Sequence, residues 1–325
     1  MKKIGIIGVG KYLPKKVLTN ADLEKMVNTT DEWIITRTGI KERRLVSKNE
    51  AASDLAIKAA RQALEDAKIL PQDLDLIVVA TITPDMQFPS TACILQEALS
   101  AKDAACFDIS AACAGFVYGI VTAQQFIATG TYNNALVIGT EVLSSITDWQ
   151  DKNTCVLFGD GAGAAVLAQV NSGGILSAYL GSDGTKKDLL MLPAGGSRYP
   201  VTHQTIDKRL HYIKMRGNEL FKLAVTIMAD AAQRALKQAG LKCQDVDVVI
   251  PHQANVRILM AVAKKLGLSK DKIYLNIERY GNMSSASTAI ALCEAVKEGK
   301  IKKGDIVLLD AFGGGLVWGA CVIKW

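Results

Sequence analysis

The sequence lacks any stretch approaching the roughly 20 consecutive apolar residues that a membrane-spanning helix needs, so no membrane span is expected. Disulfide and zinc frameworks are equally absent. The seven cysteines (Cys93, Cys106, Cys113, Cys155, Cys243, Cys293 and Cys321) are odd in number, scattered and never spaced C-x-x-C. That spacing points to a reducing compartment, and a cytoplasmic location is expected. Met1-Lys2-Lys3 and the apolar run Ile4 to Gly10 resemble a secretory signal in outline, but the run ends at Lys11 without a small-residue cleavage site. A first β-strand is the better reading. The formal net charge of +6 favours anionic partners. With no basic run and no nucleic-acid motif, an acidic carrier protein or a phosphorylated cofactor fits that charge at least as well as nucleic acid does.

What the chain does have is apolar mass: 49% of its 325 residues are hydrophobic, enough for a large core without staples. Apolar β-branched runs alternate with longer helical patterns, the rhythm of an α/β protein. Ser47-Lys48-Asn49-Glu50 is a capping-box pattern and predicts a helix carrying Leu55, Ala59 and Leu64 on one face. After Pro71, Leu76 to Thr81 reads as a buried strand.

Sliding the sequence along itself exposes a repeat. Ala63 matches Ala235, Asp73 matches Asp245 and Asp75 matches Asp247, each at an offset of 172 (247 − 75). With a small shift in register, the helix after Cys113 falls near the helix after Ser284, and the strand Ala135 to Gly139 near the strand Asp305 to Asp310. Two related α/β halves are expected, residues 1–170 and 171–325, with a site drawn from equivalent element ends in both.

Four motifs could carry chemistry. Asp108-Ile-Ser-Ala-Ala-Cys-Ala-Gly-Phe places Cys113 between a strand and a helix, where the positive end of the helix dipole would lower its thiol pKa. A buried small residue among seven cysteines is the plainer alternative. His252, in Pro251-His-Gln-Ala-Asn255, follows the strand Val246 to Ile250, and strand ends gather catalytic groups in α/β sheets. It could also be a turn histidine. Asn282 lies in Tyr280-Gly-Asn-Met-Ser-Ser-Ala-Ser287, a loop that serves equally well as a helix cap but whose repeat equivalent carries Cys113. Phe312-Gly-Gly-Gly-Leu316 has glycines, among them Gly314, whose N–H groups could form an oxyanion hole with that of Cys113. It fails as a phosphate loop, and Gly8-Val9-Gly10 fails as a dinucleotide fingerprint because Leu13 stands where a third glycine belongs.

Together these residues resemble the β-ketoacyl-acyl carrier protein synthase III family, the initiating condensing enzymes of type II fatty acid synthesis. The likeness runs through Asp31-Glu-Trp-Ile-Ile-Thr-Arg-Thr-Gly-Ile40, Phe88-Pro-Ser90, the Cys113 segment, Phe158-Gly-Asp-Gly-Ala-Gly-Ala164, His252-Gln-Ala-Asn255 and the Phe312 glycine run. The resemblance implies a thiolase-like fold of layers α-β-α-β-α. It implies Cys113 as the acyl-accepting nucleophile, with His252 and Asn282 binding the malonyl thioester carbonyl during decarboxylation, and neither metal nor redox cofactor. Trp33, Arg37, Lys152, Gly217, Phe221 and Asn255 would bind coenzyme A. Gln253, Ala254, Asn255, Val256 and Arg257, with Lys222, Lys264 and Lys265, would meet an acidic acyl carrier protein. Phe88 would line a partner subunit's acyl pocket, which implies a homodimer.

Two-cysteine thiolases need a Cys at position 282 and elongating synthases a second His, so the Cys, His and Asn set rejects both. Specialised relatives making quinolones, long-chain ketones or esters, and a non-catalytic acyl-CoA-binding protein, are the remaining alternatives.

Overall fold

The computed structural model describes residues 2–325; Met1, which the reading of the N-terminus used, lies outside the described residues. Two sheets dominate. The first runs Ile4–Tyr12, Asp160–Gln169, Asn134–Val142, Leu76–Ala80, Ala105–Ile109 in spatial order. The second runs Val248–Pro251, Ile306–Gly313, Val317–Lys324, Gly174–Ser182. Leu76–Ala80 pairs parallel with both its neighbours and is buried throughout, which explains why it reads as an unbroken apolar run.

Strand alternation divides the core. Leu76 and Val78 face a central layer, while Ile77 and Val79 face the outside of the first sheet. In that central layer the helices Gly115–Ala128 and Ser285–Lys297 lie between the sheets, against Ile250, Val307 and Leu309 of the second. Ser285–Lys297 is buried on nearly every face, as a helix packed between two sheets must be. Ala52–Ala67 and Thr91–Leu99 cover the outer face of the first sheet, and Gly217–Gln238 and Val256–Leu266 that of the second. The result is the expected five layers.

The helix expected after Ser47 begins later. Ser47 and Glu50 close a turn on each other, and the helix starts at Ala52, with the Asp54 carboxylate accepting from Ala51 N–H. Leu55, Ala59 and Leu64 are buried on its inner face.

Through the middle of each half the repeat is kept in the backbone at the same offset. The short turns Pro71–Asp73 and Cys243–Asp245 correspond at 172 (243 − 71), and Asp75 and Asp247 each accept a backbone N–H from the first residue of a neighbouring parallel strand, Asn134 and Ile306. Ala112 and Ser284 (284 − 112 = 172) share a positive φ, +42° and +46°. No register shift is needed, and the counterpart of Cys113 is Ser285.

Candidate active site

Cys113 stands at the tip of a strained corner. Strand Ala105–Ile109 holds Asp108, whose carboxylate accepts from Thr91 N–H (2.7 Å) and Ala92 N–H (2.8 Å). Beyond it the left-handed Ala112 turns the chain into one tight turn, Ala112–Ala114, which runs into the helix Gly115–Ala128. A non-glycine residue in that region is held there by its surroundings. Gly313 permits the closest approach: a Cβ on it would lie 2.6 Å from the Cys113 backbone nitrogen.

The thiol departs from expectation. Burial pushes it up to about 12; the Ser284 side chain opposes this, and the nearby Glu141 carboxyl adds to it. The helix end contributes a modest field, whereas the apolar lining removes the water that would solvate a thiolate. Cys113 is therefore a neutral thiol at rest.

His252 is 1% exposed, fixed by its backbone N–H to Asp310 O at 2.7 Å. Burial lowers its pKa to about 3, against the opposing effect of the Ser284 backbone, so the ring is neutral. Asn282 sits in a loop tied to its neighbour by Asn282 N–H to Leu157 O (2.8 Å) and Gly159 N–H to Asn282 O (3.0 Å). Its Oδ1 accepts from Ser284 N–H at 2.8 Å, which leaves the amide NH2 as the donor facing the passage.

A narrow passage of about 130 Å³ joins these groups, lined by Cys113, His252, Asn282, Gly217, Phe221 and Asn255 among others. Outward it shares Gly217, Phe221 and Asn255 with a wide mouth of about 740 Å³ that carries Trp33, Arg37, Lys222 and Arg257. Inward, at Cys113, it meets a largely apolar cavity of about 400 Å³ that includes Ile82, Leu143, Phe158, Leu190 and Gly314. At the mouth, Arg37 and Lys152 stand 5.8 Å and 5.9 Å from the Trp33 ring centre, and Arg257 stands 5.4 Å from that of Phe221. These are cationic groups over aromatic faces, suited to a phosphorylated, planar ligand.

Several expected contacts fall elsewhere. Gln253 is fully buried: its Nε2 donates to Pro251 O and Tyr274 O, and its Oε1 accepts from Asn276 and Ile277 N–H. It braces the loop and cannot meet a protein partner, a correction to the carrier-protein surface. Val256 is half-buried and packs toward Gly39; Ala254 lines the inner passage. Asn255 donates to Arg37 O and caps the helix Val256–Leu266, so it joins the two sides of the mouth. Lys264 and Lys265 are exposed at the far end of that helix. Phe88 is 85% exposed and away from the passage of its own chain.

Sequence reading missed Ser284, Glu141 and Arg43. Arg43 is fully buried and donates to Leu18 O, Asn20 Oδ1 and Val156 O, with desolvation lowering its pKa to about 10. Its Cβ closes on Gly159 and Gly281, so it anchors the loops on either side of Asn282. Arg43→Met strands three buried acceptors and is expected to cost about 3 kcal/mol or more in urea unfolding.

Known proteins resemble this chain along nearly its whole length. The family profile described as 3-Oxoacyl-[acyl-carrier-protein (ACP)] synthase III matches residues 107–184, and its C-terminal counterpart matches residues 236–325. A Beta-ketoacyl-[acyl-carrier-protein] synthase III from Caldanaerobacter subterraneus subsp. tengcongensis is 60% identical over 322 residues, 99% of this chain and 97% of that protein. One from Clostridioides difficile is 57% identical, covering 99% and 98%. The crystal structure of 3-oxoacyl-[acyl-carrier-protein] synthase III from Aquifex aeolicus superposes with a TM-score of 0.92 at 50% identity, covering 99% of this chain and all of that one. With a buried thiol, a neutral imidazole and a carboxamide at the end of one passage, the chain belongs to the 3-oxoacyl-[acyl-carrier-protein] synthase III family of acyltransferases.

Proposed function

We propose that the protein condenses an acyl-CoA primer with malonyl-[acyl carrier protein], losing carbon dioxide, to begin fatty acid synthesis in the cytoplasm. The observation that carries this reading is the continuous route from the Trp33 mouth to Cys113, with His252 and Asn282 along it and an apolar cavity beyond. In the first half-reaction the Cys113 sulfur attacks the thioester carbonyl, and the N–H groups of Cys113 and Gly314 stabilise the oxyanion. Coenzyme A leaves and the acyl chain stays in the apolar cavity. In the second, the imidazole N–H of His252 and the NH2 of Asn282 bind the malonyl carbonyl as the enolate forms. The enolate carbon then attacks acyl-Cys113.

The site draws Cys113 from residues 1–170 and His252 and Asn282 from residues 171–325, the division of labour that a duplicated pair of halves would use. Arg257 and Lys222 at the mouth, with Lys264 and Lys265 beyond, supply a basic surface for an acidic carrier protein. The exposed Phe88 ring would close the acyl cavity of a second copy, giving a homodimer. Incubation with a panel of acyl-CoA thioesters, read by intact-protein mass spectrometry, tests the function: an adduct on Cys113 supports it, whereas binding without covalent capture would favour a non-catalytic acyl-CoA-binding protein.

The mouth makes a separate prediction. Trp33→Ala removes the face on which Arg37 and Lys152 converge. It is expected to raise KM for the acyl-CoA about tenfold with kcat unchanged, because this contact is the same in the ground and transition states.

A further inference from the structure

Beneath the segments that carry His252 and Asn282 lies a buried carboxylate that the reaction outlined above does not use. Glu294, on the helix Ser285–Lys297, is 3% exposed. Its Oε1 accepts from the Tyr280 hydroxyl at 2.7 Å and from the Lys11 ammonium. Its Oε2 accepts from Asn276 Nδ2 (2.9 Å), a guanidinium nitrogen of Arg279 (3.0 Å) and the Tyr274 hydroxyl (3.4 Å). Burial alone would raise its pKa, but the hydrogen bonds from Lys11, Asn276 and Tyr280 outweigh it and hold the carboxyl below its ordinary range, so it is ionised. A buried charge of this kind is tolerated only while its partners stay in place, which makes the cluster rigid.

The partners lead to both donors of the second half-reaction. Tyr280 ends the short helix Ile277–Tyr280, two residues before Asn282. Asn276 leads to His252: its backbone N–H and that of Ile277 donate to Gln253 Oε1 at 3.1 Å and 3.3 Å. Gln253 Nε2 in turn donates to Pro251 O (2.9 Å) and Tyr274 O (3.1 Å), so the residues on either side of His252 are tied to the same cluster. Lys11 reaches in from the strand Ile4–Tyr12 of the first sheet. Neither Glu294 nor any of its five partners lines the passage, its mouth or the acyl cavity.

We infer that Glu294 is a positioning residue for decarboxylation, setting the imidazole of His252 and the carboxamide of Asn282 in register with each other. This rests on the acyl-transfer reading above. An enolate oxygen held by two donors needs both within hydrogen-bond distance of one point, and a displacement of about 1 Å far from the chemistry is enough to cost about 10²-fold in rate. The two donors stand on separate segments, 30 residues apart (282 − 252), and Glu294 joins those segments through Asn276 on one side and Tyr280 on the other. Acylation draws instead on the turn Ala112–Ala114 and the Phe312 glycine run, to which neither Glu294 nor its partners is hydrogen-bonded through a side chain. Loss of the carboxylate therefore falls on one half-reaction and spares the other.

The test compares the two half-reactions in three variants. Tyr280→Phe and Asn276→Ala each remove one hydrogen bond to Glu294, and Glu294→Gln removes the charge on which all five partners converge. Acylation of Cys113 by acetyl-CoA in a single turnover and decarboxylation of malonyl-[acyl carrier protein] are measured on protein whose folded fraction is checked by circular dichroism. Glu294→Gln is expected to slow decarboxylation by about 10²-fold and each single-bond variant by about 10-fold, with acylation within about twofold of wild type. The loss falls on kcat, with KM for malonyl-[acyl carrier protein] unchanged, because the mouth is untouched. An equal fall in both half-reactions, as a merely structural role would give, would overturn the inference, and so would decarboxylation at the wild-type rate in both Tyr280→Phe and Asn276→Ala. If Glu294→Gln does not fold, Tyr280→Phe, which removes a single oxygen atom, decides. Wild-type protein that neither takes an acyl group from a thioester panel nor decarboxylates the malonyl carrier would instead overturn the acyl-transfer reading itself.

Discussion

In a Cys113→Ser variant the acyl adduct disappears and condensation falls by about 10³-fold or more. The substitution is nearly isosteric, so the strained corner at Ala112 and the close approach of Gly313 are undisturbed. What changes is the atom. A serine hydroxyl is far less acidic than a thiol, and the neighbouring imidazole, held near 3 by burial, is too weak a base to deprotonate it. Its acyl ester would also be a poorer acyl donor than a thioester, so both the making and the use of the intermediate suffer. Intact-protein mass spectrometry after incubation with acyl-CoA checks the first step, with Cys113→Ala as the control for fold. A serine variant that still gained the acyl mass would place the nucleophile elsewhere.

The sequence carried much of this site because its chemistry is written in local patterns. A cysteine after a strand and before a helix, a histidine at a strand end and an asparagine in the matching loop of a repeat each have a readable context, and the structure brings all three to one passage. The α/β class and the two related halves were legible through the alternation of strands and helices and the duplicated segment, whereas the five layers came only through the resemblance to the synthase III family. Other features depend on contacts between distant segments. Glu141 reads as the polar end of a strand, and nothing in its neighbourhood announces Thr83 and Ser285, which are 58 and 144 residues away. Arg43 reads as a surface charge in a short strand until Leu18, Asn20 and Val156 close around it.

The errors have physical reasons too. Gln253 shares a motif with residues that line the passage and its mouth, but a loop that turns sharply between His252 and a helix needs an internal brace. The helix predicted from Ser47 starts at Ala52 because Glu50 spends its carboxylate on Ser47, closing a turn rather than a helix end. The thiol was expected to be acidic from its helix end, and the apolar cavity that reverses this is assembled from segments as far apart as Ile82 and Val317.

Alanine at Asn282 should separate the two half-reactions. Acylation of Cys113 proceeds at close to the wild-type rate, because in the proposed mechanism the oxyanion of that step forms against the backbone of Cys113 and the glycine run rather than against the carboxamide. Decarboxylation of malonyl-[acyl carrier protein] falls by about 10²-fold to 10³-fold, the effect of removing one preorganised donor from a developing enolate. The remaining donor, His252, is neutral because burial disfavours its charged form, and it gains a proton only as pH falls toward 3. In wild-type protein the decarboxylation rate should therefore show no inflection from His252 between pH 5 and pH 8, where an unperturbed histidine would titrate. Release of carbon dioxide and adduct mass, followed in parallel, check both statements. An equal loss of the two half-reactions in Asn282→Ala would show that the carboxamide holds the site together instead of serving the enolate, and an inflection near the ordinary histidine pKa that His252→Ala removes would show that the imidazole works in its charged form.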